Sequence, residues 1–372
     1  MQKKLIALAI AGLVSAPAFA QSEVTIYGTL DYGYTFQNQH IDSNTRSRQG
    51  VDSGVSKANR LGFKGVEDLG NGLKAVFVYE AGLQGDGGSW KEGEARQSYA
   101  ALAGGFGTVA FGRHYTPQHL FTSAIDPFGK NGLGNAGNVL AQDKRLSNLL
   151  AYISPNWGGF SFIAGYTGSY AGNEPNENRT GTPALENVRV LAFAPSFTSG
   201  GLFLGLNYHQ AKFNNEDPFL GLVEHLRVYE GYAAYDFGPV KIGGLLGRRI
   251  TSLEGADDVK VTQWLVGATW KITSADALLF SYAHRKAEAL NLDDTKLGQW
   301  AVGYQHALSK RTALYAQYAY QNQNSAQKAA GAGPLGLGSV LGYGAADLTS
   351  DGNFGSGTGY RQGVAVGFRH DF

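Results

Sequence analysis

The stretch VTIYGTLDYGYTF, residues 24–36, alternates between two kinds of side chain. Because successive side chains of a strand point to opposite faces, one face collects apolar and aromatic groups, namely Val24, Ile26, Leu30, Tyr32, Tyr34 and Phe36. The other face collects Thr25, Thr29, Asp31 and Thr35. This period of two predicts a strand with one apolar face and one polar face.

The same alternation recurs along the chain, for example at residues 263–272, 314–321 and 360–372, and helical periodicity is almost absent. Seven connections are short and rich in turn formers, at residues 70–72, 104–105, 156–159, 199–201, 238–239, 273–274 and 309–310. Eight others are expected to be longer, centred near residues 45, 89, 130, 178, 218, 255, 291 and 340. Short and long connections alternate, and fifteen connections join sixteen strands.

An even strand number with short turns at one rim and long loops at the other is typical of an outer-membrane barrel. We therefore predict an all-β fold: a transmembrane antiparallel β-barrel of 16 strands, built from residues 21–372. Sixteen strands enclose a lumen too wide for side chains to fill, so an aqueous channel is expected. A soluble β-sandwich or β-helix also alternates, but it does not explain the alternation of short and long connections.

The composition excludes several other classes of protein. The chain of 372 residues has 53 Gly, 20 Tyr, 20 Phe and 5 Trp, with 16% charged residues and no Cys. Gly has no Gly-X-Y period, which excludes a collagen-like chain, and apolar residues are too frequent for a disordered one. The sequence has no apolar run of about 20 residues that would predict a membrane-spanning helix. Disulfides are impossible.

The first twenty residues have the pattern of a secretory signal peptide. Lys3 and Lys4 precede an uncharged apolar run at residues 5–14, and Ala18-Phe19-Ala20 supplies small residues for cleavage before Gln21. Cleavage removes two of the 31 basic residues and none of the 30 acidic ones, so the mature chain carries a net charge of −1. That balance argues against a nucleic-acid partner.

Several motifs resemble the general porins of β-proteobacterial outer membranes. They are VTIYGTLD at residues 24–31, NRLGFKG at 59–65, EDLGNGLKA at 67–75, FGTV at 106–109, FGR at 111–113, DPFG at 126–129 and GFRHDF at 367–372. The resemblance covers the whole mature chain and is densest over residues 23–165. Together these motifs are specific, although each alone is weak.

The resemblance implies a homotrimer in the outer membrane of a Gram-negative bacterium, surrounded by lipid and lipopolysaccharide, through which small hydrophilic solutes and ions diffuse passively. It also implies that the third long loop, about residues 115–145, folds into the lumen and narrows it. Phe372 occupies the position of the family's final aromatic residue, which the barrel-insertion machinery recognises.

Charges at the narrowest point decide which ions a pore admits. Counting by alternation gives nine inward basic residues: Arg60, Lys64, Lys74, Lys241, Arg249, Lys271, Arg285, Arg361 and Arg369. The inward acidic set has six: Asp31, Asp68, Glu80, Glu230, Asp236 and Asp371. This surplus predicts a mild preference for anions.

The predicted selectivity residues form two groups. Arg60, Lys64, Lys74, Arg96 and Arg113 are expected to form a basic wall opposite the third loop, which contributes Asp126, Lys130 and Arg145. Alternation leaves Arg96 ambiguous, and it points Arg113 outward unless the strand bends at Gly112. The family often has Arg where this chain has Ala151, in AYISP at residues 151–155, so one expected wall charge is missing.

The sequence shows no pattern for catalysis, a cofactor or a metal. The eight His residues are scattered without an HExxH motif, and no GxSxG occurs. Two alternatives to a porin remain at this point: a barrel enzyme of the lipase or protease type, and a structural or adhesive barrel without conductance. The Gly-rich stretch 324–359 is expected to be an external loop, or a lid over the pore mouth.

Overall fold

The computed structural model describes residues 23–41, 44–87, 89–90, 95–129, 132–168, 188–213, 223–288, 293–323 and 361–372. The predicted signal peptide, Lys130 and the Gly-rich stretch 324–359 lie outside the described residues. No helix in the described ranges has the length and apolar character needed to cross a membrane.

The chain forms eighteen β-segments: β1 (Glu23–Ile41), β2 (Asn44–Ser53), β3 (Arg60–Gly70), β4 (Leu73–Gln84), β5 (Ser89–Trp90), β6 (Gln97–Gly104), β7 (Gly107–Tyr115), β8 (Arg145–Ile153), β9 (Phe160–Thr167), β10 (Arg189–Ser199), β11 (Leu202–Lys212), β12 (Val223–Asp236), β13 (Val240–Leu253), β14 (Ala256–Lys271), β15 (Asp276–Glu288), β16 (Thr295–Ala307), β17 (Thr312–Gln323) and β18 (Gln362–Asp371). One helix, α1 (Pro117–Ile125), and a 3₁₀ turn, Ala136–Asn138, lie between β7 and β8.

These segments make one closed antiparallel sheet. Each wall strand pairs with its neighbours in sequence, and β1 pairs with β18. Both β2 and β3 pair with β1, and both β5 and β6 pair with β4, so each of these two couples makes a single interrupted wall strand. The eighteen segments of the described residues therefore occupy sixteen wall positions, and the predicted barrel is confirmed.

The two faces of the wall differ as the alternation predicts. Apolar side chains of the outer face are widely exposed, with Leu206 at 61% and Leu246 at 64%. Polar side chains on the inner face of the same region, such as Asn207, Glu230 and Gln263, are buried. An exposed apolar surface of this kind belongs against lipid, where the closed sheet leaves no unpaired edge.

All seven predicted short turns lie between consecutive strands. The expectation of a longer loop near residue 255 is wrong, because Leu253 pairs with Ala256 and only two residues turn the chain. Gly255 has a φ of +70°, which allows this tight reversal. Likewise, near residue 45, β1 and β2 pair as far as Ile41 and Asn44, so only residues 42–43 separate them.

The closure between the chain ends depends on a glycine. Gly28 and Phe372 exchange backbone hydrogen bonds of 3.1 and 3.2 Å. A Cβ added to Gly28 would lie 2.4 Å from the Phe372 ring and 2.6 Å from the backbone oxygen of Arg60. The contact with Arg60 involves backbone, which cannot rotate away.

We therefore predict that Gly28→Val blocks barrel closure. Its assembled fraction, measured by heat-modifiable migration on electrophoresis, should fall sharply. Gly50→Val is the matched control in β2, because nothing lies within 4 Å of the added Cβ there. Equal assembly of the two variants would contradict the assigned closure.

Candidate functional site

A cluster of charges occupies the inner wall where β3, β4 and the chain before β6 meet. Glu80, on β4, is almost fully buried. Its Oε1 accepts a hydrogen bond from Nε of Arg96 at 2.8 Å, and its Oε2 lies 3.6 Å from Nε of Arg60. The hydroxyl of Tyr27 donates to the same Oε2 at 3.1 Å. The carboxylate thus holds two guanidinium groups against one side of the lumen.

A third guanidinium joins this cluster through Tyr115 at the end of β7. Nη2 of Arg96 donates to the Tyr115 hydroxyl at 3.0 Å. The guanidinium carbon of Arg145 lies 5.0 Å from the centroid of the same ring, within range of a cation–π contact. Two arginines therefore contact the Glu80 carboxylate and a third joins them through Tyr115, so the group has a formal surplus of two positive charges. We call Arg60, Glu80, Arg96, Tyr115 and Arg145 the arginine cluster.

Two further predicted wall residues, Lys64 and Lys74, lie on the inner face. Lys64 pairs with Thr25 and Val78, and Lys74 pairs with Ala103. These three partners all lie on the inner face of their strands. Ala151 also lies on this side of β8 and is buried, so the position that lacks the family's arginine is part of the wall.

Arg113 follows a bend of β7 at Gly112. Gly112 has a φ of +129°, and the pairing with β8 is irregular between Gly112 and His114, so the outward side chain of Phe111 does not fix the side of the strand on which Arg113 lies. Its described contacts are a hydrogen bond from Nε to the Ala95 carbonyl at 2.7 Å and one to the Ser147 hydroxyl. Ala95 precedes Arg96 and Ser147 lies two residues after Arg145, so Arg113 lies near the arginine cluster, and its membership of the basic wall stays a prediction.

Asp126 has a local role that the sequence did not reveal. It follows α1, and its carboxylate accepts backbone N–H groups of Phe128 at 3.0 Å and of Ala136 at 2.8 Å. The residue is 4% exposed. These bonds fold the segment around it, and so the carboxylate is used inside the segment rather than presented to the lumen.

The segment between β7 and β8, described over residues 116–129 and 132–144, lies against the polar face of the opposite strands. We call it the inner segment. Thr116 caps α1 by accepting the N–H of His119 at 3.1 Å, with Pro117 at the first turn. The ring of Phe121 packs edge-on against Phe203 of β11 and Tyr232 of β12, with centroid distances of 5.4 Å.

Polar contacts fasten the inner segment beside this aromatic contact. Buried Glu230 accepts hydrogen bonds from Nε2 of Gln118 at 2.8 Å and of Gln263 at 3.0 Å. Gln263 also accepts the backbone N–H of Ala141 at 2.8 Å. At the end of the segment, Asp143 lies 3.5 Å from Nη1 of Arg249. Both ends of the segment are therefore tied to the β12–β14 wall.

Three of the inward acidic residues, Asp31, Glu80 and Glu230, are buried in contacts of this kind. Asp31, counted above as a wall charge, is fully buried and accepts the N–H groups of Val55, Ser56 and Lys57 and the hydroxyl of Tyr315 at 2.6 Å. It organises the break between β2 and β3. Asp31 lies on the inner face, as alternation predicts, but its partners enclose it, so its carboxylate is not exposed to the lumen.

The sequence of this chain is similar to those of known porins. A sequence profile described as Gram-negative porin matches residues 7–326. Outer membrane porin protein 32 of Delftia acidovorans is 32% identical over 301 residues, covering 78% of this chain and 82% of that protein. An outer membrane porin protein of Bordetella pertussis is 32% identical over 264 residues, covering 65% of this chain and 68% of that protein.

The fold agrees with solved structures. The anion-selective porin from Comamonas acidovorans superposes with a TM-score of 0.74 at 30% identity, covering 95% of this chain and all of that one. OmpT of Vibrio cholerae superposes with a TM-score of 0.67 at 16% identity, covering 96% of this chain and 99% of that one, which is a likeness of fold alone.

The anchoring of the inner segment can be tested with a single spin label, since the chain has no Cys. We predict that Phe121→Ala, in protein labelled at Ala124→Cys, increases the mobile component of the electron paramagnetic resonance spectrum. Truncating a buried Phe costs about 3–5 kcal/mol, and here it removes the ring contacts with Phe203 and Tyr232.

Phe111→Ala is the matched control, because that ring lies on the outer face and touches no part of the inner segment's anchor. Identical spectra for Phe121→Ala and unmodified protein would contradict the assigned anchor.

Proposed function

The chain belongs to the Gram-negative porins, outer-membrane channels for passive diffusion, and from that premise we propose that its channel favours small anions. The observation that carries the proposal is the arginine cluster, in which Arg60 and Arg96 contact Glu80 and Arg145 joins them through the ring of Tyr115. The family consists of channels rather than enzymes, so the enzymatic alternative is set aside.

The inner segment supplies the second half of the proposed filter. Its contacts run along the inner face of β11–β14, while the arginine cluster lies on β3, β4, β7 and β8. We propose that permeating ions pass between the two. The inner segment then acts as the constriction expected for residues 115–145, and the arginines form the facing wall.

The chemistry of selection follows from the positive charge that the arginines retain. Two charges remain when Glu80 is set against Arg60, Arg96 and Arg145. An anion that sheds some of its water here would gain charge-assisted hydrogen bonds, whereas a cation meets a surplus of positive charge. Because Lys64 and Lys74 lie on the same face, an anion leaving the cluster stays in a favourable field.

Reversal potentials of the channel in planar bilayers test this proposal. We expect Arg60→Gln with Arg145→Gln to lower the anion-to-cation permeability ratio severalfold, since each charge is worth about 1 kcal/mol at 4 Å even in water. Arg96 is left in place so that Glu80 keeps its partner.

Lys310→Gln with Arg311→Gln is the control, because it removes the same charge from an exposed turn outside the lumen. An unchanged ratio in the Arg60 and Arg145 variant would overturn the assigned filter. Absence of conductance in the unmodified protein would instead favour the non-conducting structural barrel.

We also propose the assembly expected from the family: a homotrimer in contact with lipopolysaccharide, inserted by the barrel-insertion machinery through Phe372. In support, Phe372 is 39% exposed at the end of the closing strand. A related fold, OmpT of Vibrio cholerae, has been solved in a form described as a trimer. Export requires the signal peptide, and intact mass of the mature protein should place its first residue at Gln21.

A further inference from the structure

A row of small side chains crosses the inner face of the wall from β12 to β17. Residues that pair directly across these six strands lie on one line around the barrel. On one such line every residue is small: Ala234, Gly243, Gly267, Ser281, Ala301 and Ala319. All six are buried, and we call them the small-residue row. Because its side chains are short, the inner surface of the wall is recessed along this line.

The inner segment fits into the middle of this row without room for one more methyl group. A Cβ added to Gly243 would lie 1.9 Å from Cγ2 of Ile125, and one added to Gly267 would lie 2.6 Å from Cδ of Pro127. The Cβ at Gly267 would also lie 2.8 Å from the backbone oxygen of Ile125. The Ile125 side chain can rotate, but a proline ring and a backbone oxygen move only if the inner segment itself moves.

The contact continues along the next two strands. The Ser281 hydroxyl of β15 donates to the Gly134 carbonyl at 3.4 Å. On β16, the ring of Phe128 lies 2.8 Å from the position of a Cβ added to Gly303, beside the small-residue row. Phe128 is almost fully buried in this contact. The inner segment therefore rests on the wall from β13 to β16, and the depth of the row determines how close to the wall it lies.

Inward glycines on the other side of the lumen contact the wall itself. A Cβ added to Gly62 of β3 would meet Tyr27, and one added to Gly165 of β9 would meet Leu149, which are both wall side chains. The inner segment thus lies against the small-residue row, and the arginine cluster belongs to the other side of the lumen. Any width that the inner segment occupies is lost to a solute that passes between the two.

We propose that the small-residue row sets the size limit of the channel, because it fixes how far the inner segment stands out from the wall. The proposal rests on the proposed function, in which the inner segment is the constriction. Carbon atoms in ordinary contact are about 3.5–4.0 Å apart, so a methyl group at Gly267 displaces Pro127 by about 1 Å. A close-packed contact transmits such a shift. The displacement narrows the opening for solutes whose width is close to its own.

Swelling of liposomes that contain the protein tests the proposal with arabinose, glucose, sucrose and raffinose, which are uncharged sugars of increasing size. Rates are taken relative to arabinose, so that they do not depend on the amount of protein. We expect Gly267→Ala to lower the relative rate severalfold for the largest sugar that the unmodified channel admits, and to change the rate for glucose less. Gly267→Val should lower it further, because its side chain is larger.

A compensating pair of substitutions separates a steric effect from a loss of stability. Gly243→Ala should also lower the relative rate for the largest admitted sugar. Adding Ile125→Ala removes the Cγ2 atom that the new methyl group meets, so the double variant should recover the unmodified rate. Gly231→Ala on the outer face of β12 is the control, because the atom nearest to the added Cβ is Cδ2 of Leu206 at 3.9 Å.

Assembly of every variant is checked by heat-modifiable migration, and Gly243→Ala with its double variant decides the outcome if the Gly267 variants do not assemble. Equal relative rates for Gly267→Ala and unmodified protein would overturn the proposal. So would faster entry of the larger sugars, because the inner segment would then have left the wall. A double variant as restrictive as Gly243→Ala would also overturn it.

Uncharged sugars report the size of the opening without regard to its ion preference. A size limit that responds to Gly267→Ala in a channel without anion preference would overturn the proposed filter and leave the role of the small-residue row standing. An anion-selective channel whose sugar uptake ignores both Gly267→Ala and Gly243→Ala would do the reverse.

Discussion

Backbone hydrogen bonding in lipid is the constraint on which the whole molecule depends. No water is available in the hydrocarbon to satisfy a strand edge, so the sheet must close on itself, here through β1 and β18. Closure divides the side chains into an outer apolar set and an inner polar set. Because strand pairing fixes the wall, the ion selectivity of the channel depends on which inner side chains lie next to each other.

The acidic and the basic side chains of the inner face have different roles. Acidic residues are drawn into structural roles: Asp31 holds the break between β2 and β3, Glu230 holds the inner segment, and Glu80 is shared by arginines. Basic residues outnumber the partners left for them. A positive wall thus arises because the carboxylates are occupied in holding the fold, and not only because basic residues are slightly more numerous.

Alternation predicted the parts of the structure that the sheet alone determines. The two faces and the inward placement of Arg60, Lys64 and Lys74 follow from a period of two, and the number of strands follows from the alternation of short and long connections. It could not place Arg96, which precedes β6 and turns inward because Glu80 lies across from it. It also missed Tyr115, because that ring belongs to the site only through its contact with Arg145, which follows the far end of the inner segment. The sequence did not predict the tight turn at Gly255. Strand β14 has 16 residues, more than a strand needs to cross the bilayer, and polar Asp257 and Asp258 near its start have the composition of a loop.

The central claim is that anions, rather than cations, occupy the lumen beside the arginine cluster. Crystals of the protein soaked separately in bromide and in rubidium salts would test it by anomalous scattering. We predict bromide within hydrogen-bond distance of Arg60 and Arg145 and no rubidium there. Rubidium at that position, with bromide absent, would contradict this account.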